Sequence, residues 1–330
     1  MALTPIDQAH ALQIQAGTLG RKAGHAFEDD IAARINGYSY PMRLENASGR
    51  HLAAGDPALL LINYIARYLR SEGLVSAIAI STGALATSEE GQKWLSINGA
   101  NVRRCKSDLV VTVVLSNGET KTVGISTKQC NNRTPTNAQL YFTTARGFTK
   151  LLRDNNVNVS DDALNGLRRF CGDAGFRPSD FPNEVEGRRI DPRRYFWEEM
   201  PQHVQQEWAR ILTASQDHVT RLLLQKAYID DPFVPDFLIH KTRASSSWDK
   251  TEVAIYAIEE LITLSHLYQN FATREYSVRK GSYRDPQGYS HLAPRFGIVQ
   301  MQRGGQEQHP EQLQFNLEAG YFYKIENLRG

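Results

Sequence analysis

Apolar residues recur at helical spacing over residues 24–36. Phe27, Ile31 and Ile35 fall on one side together with the preceding Ala23, and Gly37 stands where a helix would stop. Asp56 followed by Pro57 reads as an N-cap with proline at the first helical position, opening a helix to about Ser71. The Ala- and Ser-rich stretch over residues 75–96 reads as a further helical region. The strongest strand signal is residues 108–115, β-branched almost throughout. Ser116-Asn117-Gly118-Glu119 then supplies Asn-Gly, the best short hairpin signal, and residues 120–128 return as the partner strand. After a polar loop over 130–137, residues 138–153 read as a helix, and 161–228 as mostly helical around a Pro/Gly/Arg-rich connector at 172–192. Residues 248–270 carry Val253, Ile255, Tyr256, Ile258, Leu261, Ile262, Leu264 and Leu267, which predicts a long amphipathic helix. Residues 295–303 and 312–316 alternate on either side of Gly304-Gly305, a second hairpin. Helix and strand mix along the whole length, so the fold class is α/β or α+β.

The 330 residues suffice for a large core in one elaborated domain or two. Three scattered cysteines, Cys105, Cys130 and Cys171, without C-x-x-C spacing, give neither a zinc ribbon nor a disulfide framework. The N-terminus lacks the basic and apolar regions of a signal peptide. The longest apolar runs, such as 59–62, fall far short of the roughly 20 residues of a membrane span. The cytoplasm is the expected compartment, with no membrane as partner. Lys plus Arg number 38 against 36 Asp plus Glu, a formal net charge of +2. That balance argues against coating nucleic acid by bulk electrostatics, though a basic cleft can hide inside a neutral total. No H-E-x-x-H, G-x-x-x-x-G-K-[ST] or G-x-S-x-G segment is present.

Chemistry gathers at the first hairpin. Asp108 stands at the mouth of one strand and Lys128 at the end of the other, and antiparallel pairing brings those ends side by side. Ser126 and Lys128 point to one face, with the Thr127 carbonyl between them. A carboxylate, a carbonyl and an amine at one sheet end suit metal-assisted phosphodiester cleavage. A hard cation such as Mg2+ takes oxygen ligands, and a nearby lysine orients water and stabilises developing charge.

Lys106-Ser107-Asp108, 17 residues, then Ser126-Thr127-Lys128 resembles the Asp…(Asp/Glu)-x-Lys pattern of the PD-(D/E)xK nuclease superfamily. Ser107 replaces the pattern's proline and Ser126 its second acidic residue, so one metal ligand is lost. Some restriction endonucleases are similar in having Ser there, with the missing carboxylate supplied from a helix. The best donor of that kind is Glu28, at the edge of the apolar stripe of Gly24-His-Ala-Phe-Glu-Asp-Asp-Ile31; as a plain alternative, Glu28, Asp29 and Asp30 are acids complementing a helix dipole. Pro235-Asp236 with Lys241 is a competing match too short to hold two strands and a turn.

The resemblance implies a mixed central sheet flanked by helices, a restriction-endonuclease-like core with a largely helical insertion and a C-terminal β-hairpin region. Residues 1–155 would be the nuclease core and 156–330 elaboration for DNA recognition and dimerisation. It implies a Mg2+-dependent type II restriction endonuclease acting on double-stranded DNA as a homodimer, with a cognate DNA methyltransferase as genetic partner. Asp108, Glu28 and the Thr127 carbonyl would bind metal, Lys128 would position water, and Ser126 would be a spacer or water contact. A repair or recombination nuclease on the same core, or a DNA-binding protein that has lost activity, are the alternatives. DNA contacts are expected from Gln129, Asn131, Asn132 and Arg133 beside the site, from Gln302 and Arg303 at the second hairpin, and from the basic cluster Arg188, Arg189, Arg193 and Arg194. That cluster suits an internal ion-pair network equally well. Without interleaved aromatic residues to stack unpaired bases, duplex is favoured over single strands.

Overall fold

The computed structural model describes residues 25–44, 51–82, 95–102, 105–185, 191–226, 231–268, 270–277, 289–304, 311–318 and 320–327. The chain divides into two compact units. One takes its described residues from Pro5–Ala138, Leu224–Leu261 and Ala319–Gly330, the other from Gln139–Leu223 and Ile262–Glu318.

The first unit is built on a seven-stranded mixed sheet. Its spatial order is β1 (Met42–Arg43), β3 (Gly73–Ser81), β6 (Leu109–Leu115), β7 (Thr120–Gln129), β9 (Pro235–Lys241), β10 (Thr251–Ala257) and β2 (Leu52–Gly55). All neighbours are antiparallel except β7 and β9, which run parallel. A small hairpin of β4 (Leu95–Ile97) and β5 (Ala100–Val102) accompanies it. Helix α1 over residues 25–37 buries Phe27, Ile31 and Ile35 in one cluster with Val111, Val113, Ile125, Phe237, Ile239 and Val253. Helix α2 (Pro57–Tyr68) adds Leu61, Ile62 and Ile65 to it. The Asp56 carboxylate caps α2 by accepting from the amides of Ala58 at 2.9 Å and Leu59 at 3.4 Å, as the Asp-Pro signal predicts.

The second unit holds a five-stranded sheet in the order β11 (Ala272–Ser277), β12 (Ser290–Phe296), β13 (Val299–Arg303), β14 (Gln312–Leu317) and β8 (Ala138–Thr144). Helices α3 (Ala145–Asp154), α4 (Asp161–Cys171), α5 (Pro182–Val185), α6 (Gln202–Ala214) and α7 (Gln216–Gln225) make residues 145–225 largely helical. Phe148 packs between Trp208 and Phe315, with ring centres at 5.8 and 4.5 Å. The fold is thus mixed α+β, with a mixed sheet flanked by helices.

Four segments differ from their sequence pattern. Within residues 75–96, positions 75–81 belong to β3, where Ala77 and Ala79 are buried and Ile78 is exposed; 83–94 lie outside the described residues. Pairing with β6 along its length overrides the helix preference of alanine. The first half of 138–153 is β8, with Ala138 and Leu140 alternating inward, and α3 starts only where the Thr144 hydroxyl caps Gly147 N at 3.1 Å. The expected long helix over 248–270 is instead a 3₁₀ turn, strand β10 and helix α8 (Ile258–His266). β10 lies between β9 and β2 and is buried at all but one position, so its apolar run carries no alternation to mark it as strand. Finally, β13 and β14 form the expected hairpin, but residues 295–303 are split by a turn at Gly297, whose φ is +51°.

Candidate active site

The Asn117-Gly118 turn sets everything that follows. Gly118 takes φ +84°, the Asn117 side-chain oxygen accepts from Glu119 N at 3.0 Å, and the register runs from Val114 opposite Thr120 to Leu109 opposite Ile125. One further backbone bond, Asp108 N to Ile125 O at 2.8 Å, brings Asp108 abreast of Ser126. The turn leading into Asp108 is pinned from outside the hairpin. Asp231 accepts from Lys106 N at 2.6 Å, and the Ser107 hydroxyl donates to Phe233 O at 2.6 Å.

Alternation along β7 then sorts the side chains. Val123 and Ile125 join the cluster under α1, and Thr127 continues that face, where its hydroxyl donates to Glu28 Oε1 of α1 at 2.6 Å. Ser126 and Lys128 take the opposite face. One oxygen of Asp108 accepts from Thr127 N at 2.7 Å and from Ser126 Oγ at 3.2 Å. Lys128 Nζ donates to Ser126 Oγ at 2.9 Å and to Thr127 O at 2.7 Å, and stands 3.5 Å from the same Asp108 oxygen. Thr127 thus joins both acids: its amide serves Asp108 and its hydroxyl serves Glu28.

Electrostatics follow from burial. Glu28 is 5% exposed and its Oε2 makes no hydrogen bond. Burial, then the negative charge of Asp108, pushes its carboxyl up to about 8. Lys106 is pushed down to about 8 by burial and then by the charge of Lys128. His240, the parallel-register partner of Lys128 on β9, has neither ring nitrogen hydrogen-bonded and is pushed down to about 3, again by burial first and Lys128 second. Three ionisable groups with strongly displaced titrations therefore surround Asp108 and Lys128, a grouping characteristic of reactive sites.

These groups fit a hard divalent cation. The donors joined at the hairpin end are all oxygen: two carboxylates, the Thr127 carbonyl and the Ser126 hydroxyl, a set suited to Mg2+. Three of them already converge on a cationic group, the Lys128 ammonium, and Glu28 brings a buried carboxylate oxygen with no partner.

Gln129 ends β7, and Asn131, Asn132 and Arg133 follow it at the same sheet end. Asn131, Asn132 and Arg133 are exposed on a loop organised by the Cys130 thiol, which accepts from Asn132 N at 3.4 Å. Gln302 and Arg303 lie on β13 in the second unit. There Gln302 donates to Gln314 at 3.3 Å, and Arg303 donates to Tyr195 O at 3.1 Å with its guanidinium 4.1 Å from the Phe196 ring centre. Arg188 and Arg189 lie outside the described residues. Their neighbours Arg193 and Arg194 form an ion-pair network on the fully buried Asp191, at 2.9 and 3.6 Å. The carboxylate of the competing Asp236 accepts from Gly124 N at 2.9 Å, tying β9 to β7. Lys106, Asp231 and His240 carry no local sequence signal that marks them as part of the site. His240 and Asp231 reach the site from more than 100 positions away, and only the β7–β9 pairing reveals them.

No protein-family model matches the sequence, and no curated protein matches it. Among solved structures the chain is similar to the restriction endonuclease MspI in complex with its cognate DNA, at 10% sequence identity, 92% coverage of each chain and a TM-score of 0.49.

Proposed function

We propose that this chain is a Mg2+-dependent endonuclease of the PD-(D/E)xK type, cutting double-stranded DNA at a specific short site as type II restriction enzymes do. The observation that carries the reading is the convergence of Asp108, Ser126, Thr127 and Lys128 at one sheet end, with the buried Glu28 carboxylate, whose Oε2 has no partner, beside them. Asp108, the Thr127 carbonyl and Glu28 would hold the cation, which when bound polarises the phosphate and acidifies a water. Lys128 holds and orients the attacking water and offsets charge building on the phosphate oxygens. Ser126, standing in for the pattern's acid, accepts from Lys128 and donates to Asp108, so the amine and carboxylate stay linked through a hydroxyl. The exposed amides and Arg133 after β7 contact the duplex, and a homodimer would cut both strands of a symmetric site. A cognate methyltransferase would protect the host's own sites.

Ser126 also favours a second reading, a DNA-binding protein without activity, because it removes one acid from the usual set. Incubation of phage DNA with the protein and Mg2+ separates the two. Discrete fragments, lost in both Asp108→Ala and Lys128→Ala, support the nuclease. Binding without cleavage by the wild type under several divalent metals supports the inactive reading.

A further inference from the structure

At the carboxyl ends of β7 and β9, on the α1 face, lies a cavity of about 260 Å3. Gln129 and Lys241 are register partners across the parallel pair, so their side chains emerge next to each other into it. The Gln129 side-chain nitrogen is buried and donates to nothing. The Lys241 ammonium makes no hydrogen bond or ion pair among the described residues and stands 5.9 Å from the Phe27 ring centre. Asn131 adds a further amide. The apolar wall is rigid: the Trp248 indole N–H donates to Asp56 at 2.6 Å, Arg34 covers its ring at 4.6 Å, and Phe27 packs on it at 5.8 Å. The one carboxylate, Asp30, is exposed.

A pocket with a free ammonium and an unpartnered amide N–H side by side is built for an anion with several acceptor oxygens. It begins one residue after Lys128. We propose that this pocket receives a backbone phosphate of the DNA strand, with Lys241 and Gln129 as the residues that grip it. This rests on the nuclease reading and adds to it a phosphate subsite that sets where the strand lies. Burying an amide donor without a partner costs free energy in the free protein, and the phosphate oxygen recovers it on binding. The contact is independent of base sequence, unlike those expected of Asn132 and Arg133.

The test is binding of a short labelled duplex of unrelated sequence, with EDTA to prevent cleavage, over about 50–200 mM salt. Lys241→Ala is expected to weaken binding several-fold and to reduce the log–log salt slope by about 0.9, one phosphate contact's worth. Gln129→Ala should weaken binding with the slope unchanged, since a neutral donor releases no counterion. Asp30→Asn should tighten it. Lys121→Ala, at the far end of β7, should leave the slope as it is. Lys241→Gln, which keeps most of the stem, repeats the slope measurement should the alanine variant melt early. A wild-type slope retained in both Lys241 variants would overturn the subsite while leaving the nuclease reading intact. Failure of the wild type to bind duplex would overturn both.

Discussion

Asp108 does more than supply a carboxylate. One of its oxygens already accepts from the Thr127 amide and the Ser126 hydroxyl, so its orientation is fixed in the free protein. Glu28 is the opposite case, a buried carboxyl oxygen with no donor. Its titration near 8 in the fold, against 4.5 in the unfolded chain, means the folded state binds more protons between those values. Stability is therefore lost as pH rises through that window, by at most about 1.4 kcal/mol per pH unit. In metal-free protein, Glu28→Gln should remove this loss, measured as the denaturation midpoint between pH 5 and 8. Parallel curves for variant and wild type would contradict the burial account. His240 has the reverse sign. Pushed from 6.5 down to about 3, it binds fewer protons folded than unfolded, so stability present above pH 6.5 is lost as pH falls toward 3. His240→Leu should flatten that acid limb in the same denaturation series. An unchanged limb would show that the imidazole is not desolvated.

The hairpin β6–β7 was legible because its turn, its β-branched strands and the spacing of Asp108 and Lys128 are all local. Helix α2 was legible for the same reason, through Asp56-Pro57. Strands β3 and β10 were not, since what makes them strands lies elsewhere: β6 beside one, β9 and β2 beside the other. Ala77 and Ala79 look helical until a partner strand puts both inside and Ile78 outside. The site divides in the same way. The Asp108 and Lys128 ends were readable from one turn, whereas His240, Asp231 and the Gln129–Lys241 pair depend on a parallel pairing across more than 100 residues. That pairing passes close to Gly124, where a Cβ would meet the Ser107 hydroxyl and the Val234 carbonyl. Gly124→Ala should therefore cost about 1–3 kcal/mol, read from chemical denaturation, and disturb the turn that presents Asp108. A variant as stable as wild type would mean that β7 and β9 can part locally without consequence.

Across the whole molecule the formal charge is only +2, so on the proposed nuclease reading affinity for DNA would come from local groups rather than from a diffuse field. In one unit the amine of Lys128 and the donors of the loop after β7 share a sheet end with the acidic pair Glu28 and Asp108, and on that reading the amine and the donors would supply the attraction while the acids would hold the cation. Near-neutrality suits an enzyme that reads sequence, because a uniform positive field would raise affinity for every site alike. The most direct measurement is the single-turnover rate of duplex cleavage with saturating Mg2+ for the wild type and Asp108→Asn. The amide still accepts from Thr127 N and Ser126, so the fold and hairpin end are kept while the charge is lost. Cleavage by the wild type and a fall of at least about 100-fold in the variant, at unchanged melting temperature, are the expected result. Equal rates in the two proteins, or a wild type that binds duplex and never cuts it, would contradict it.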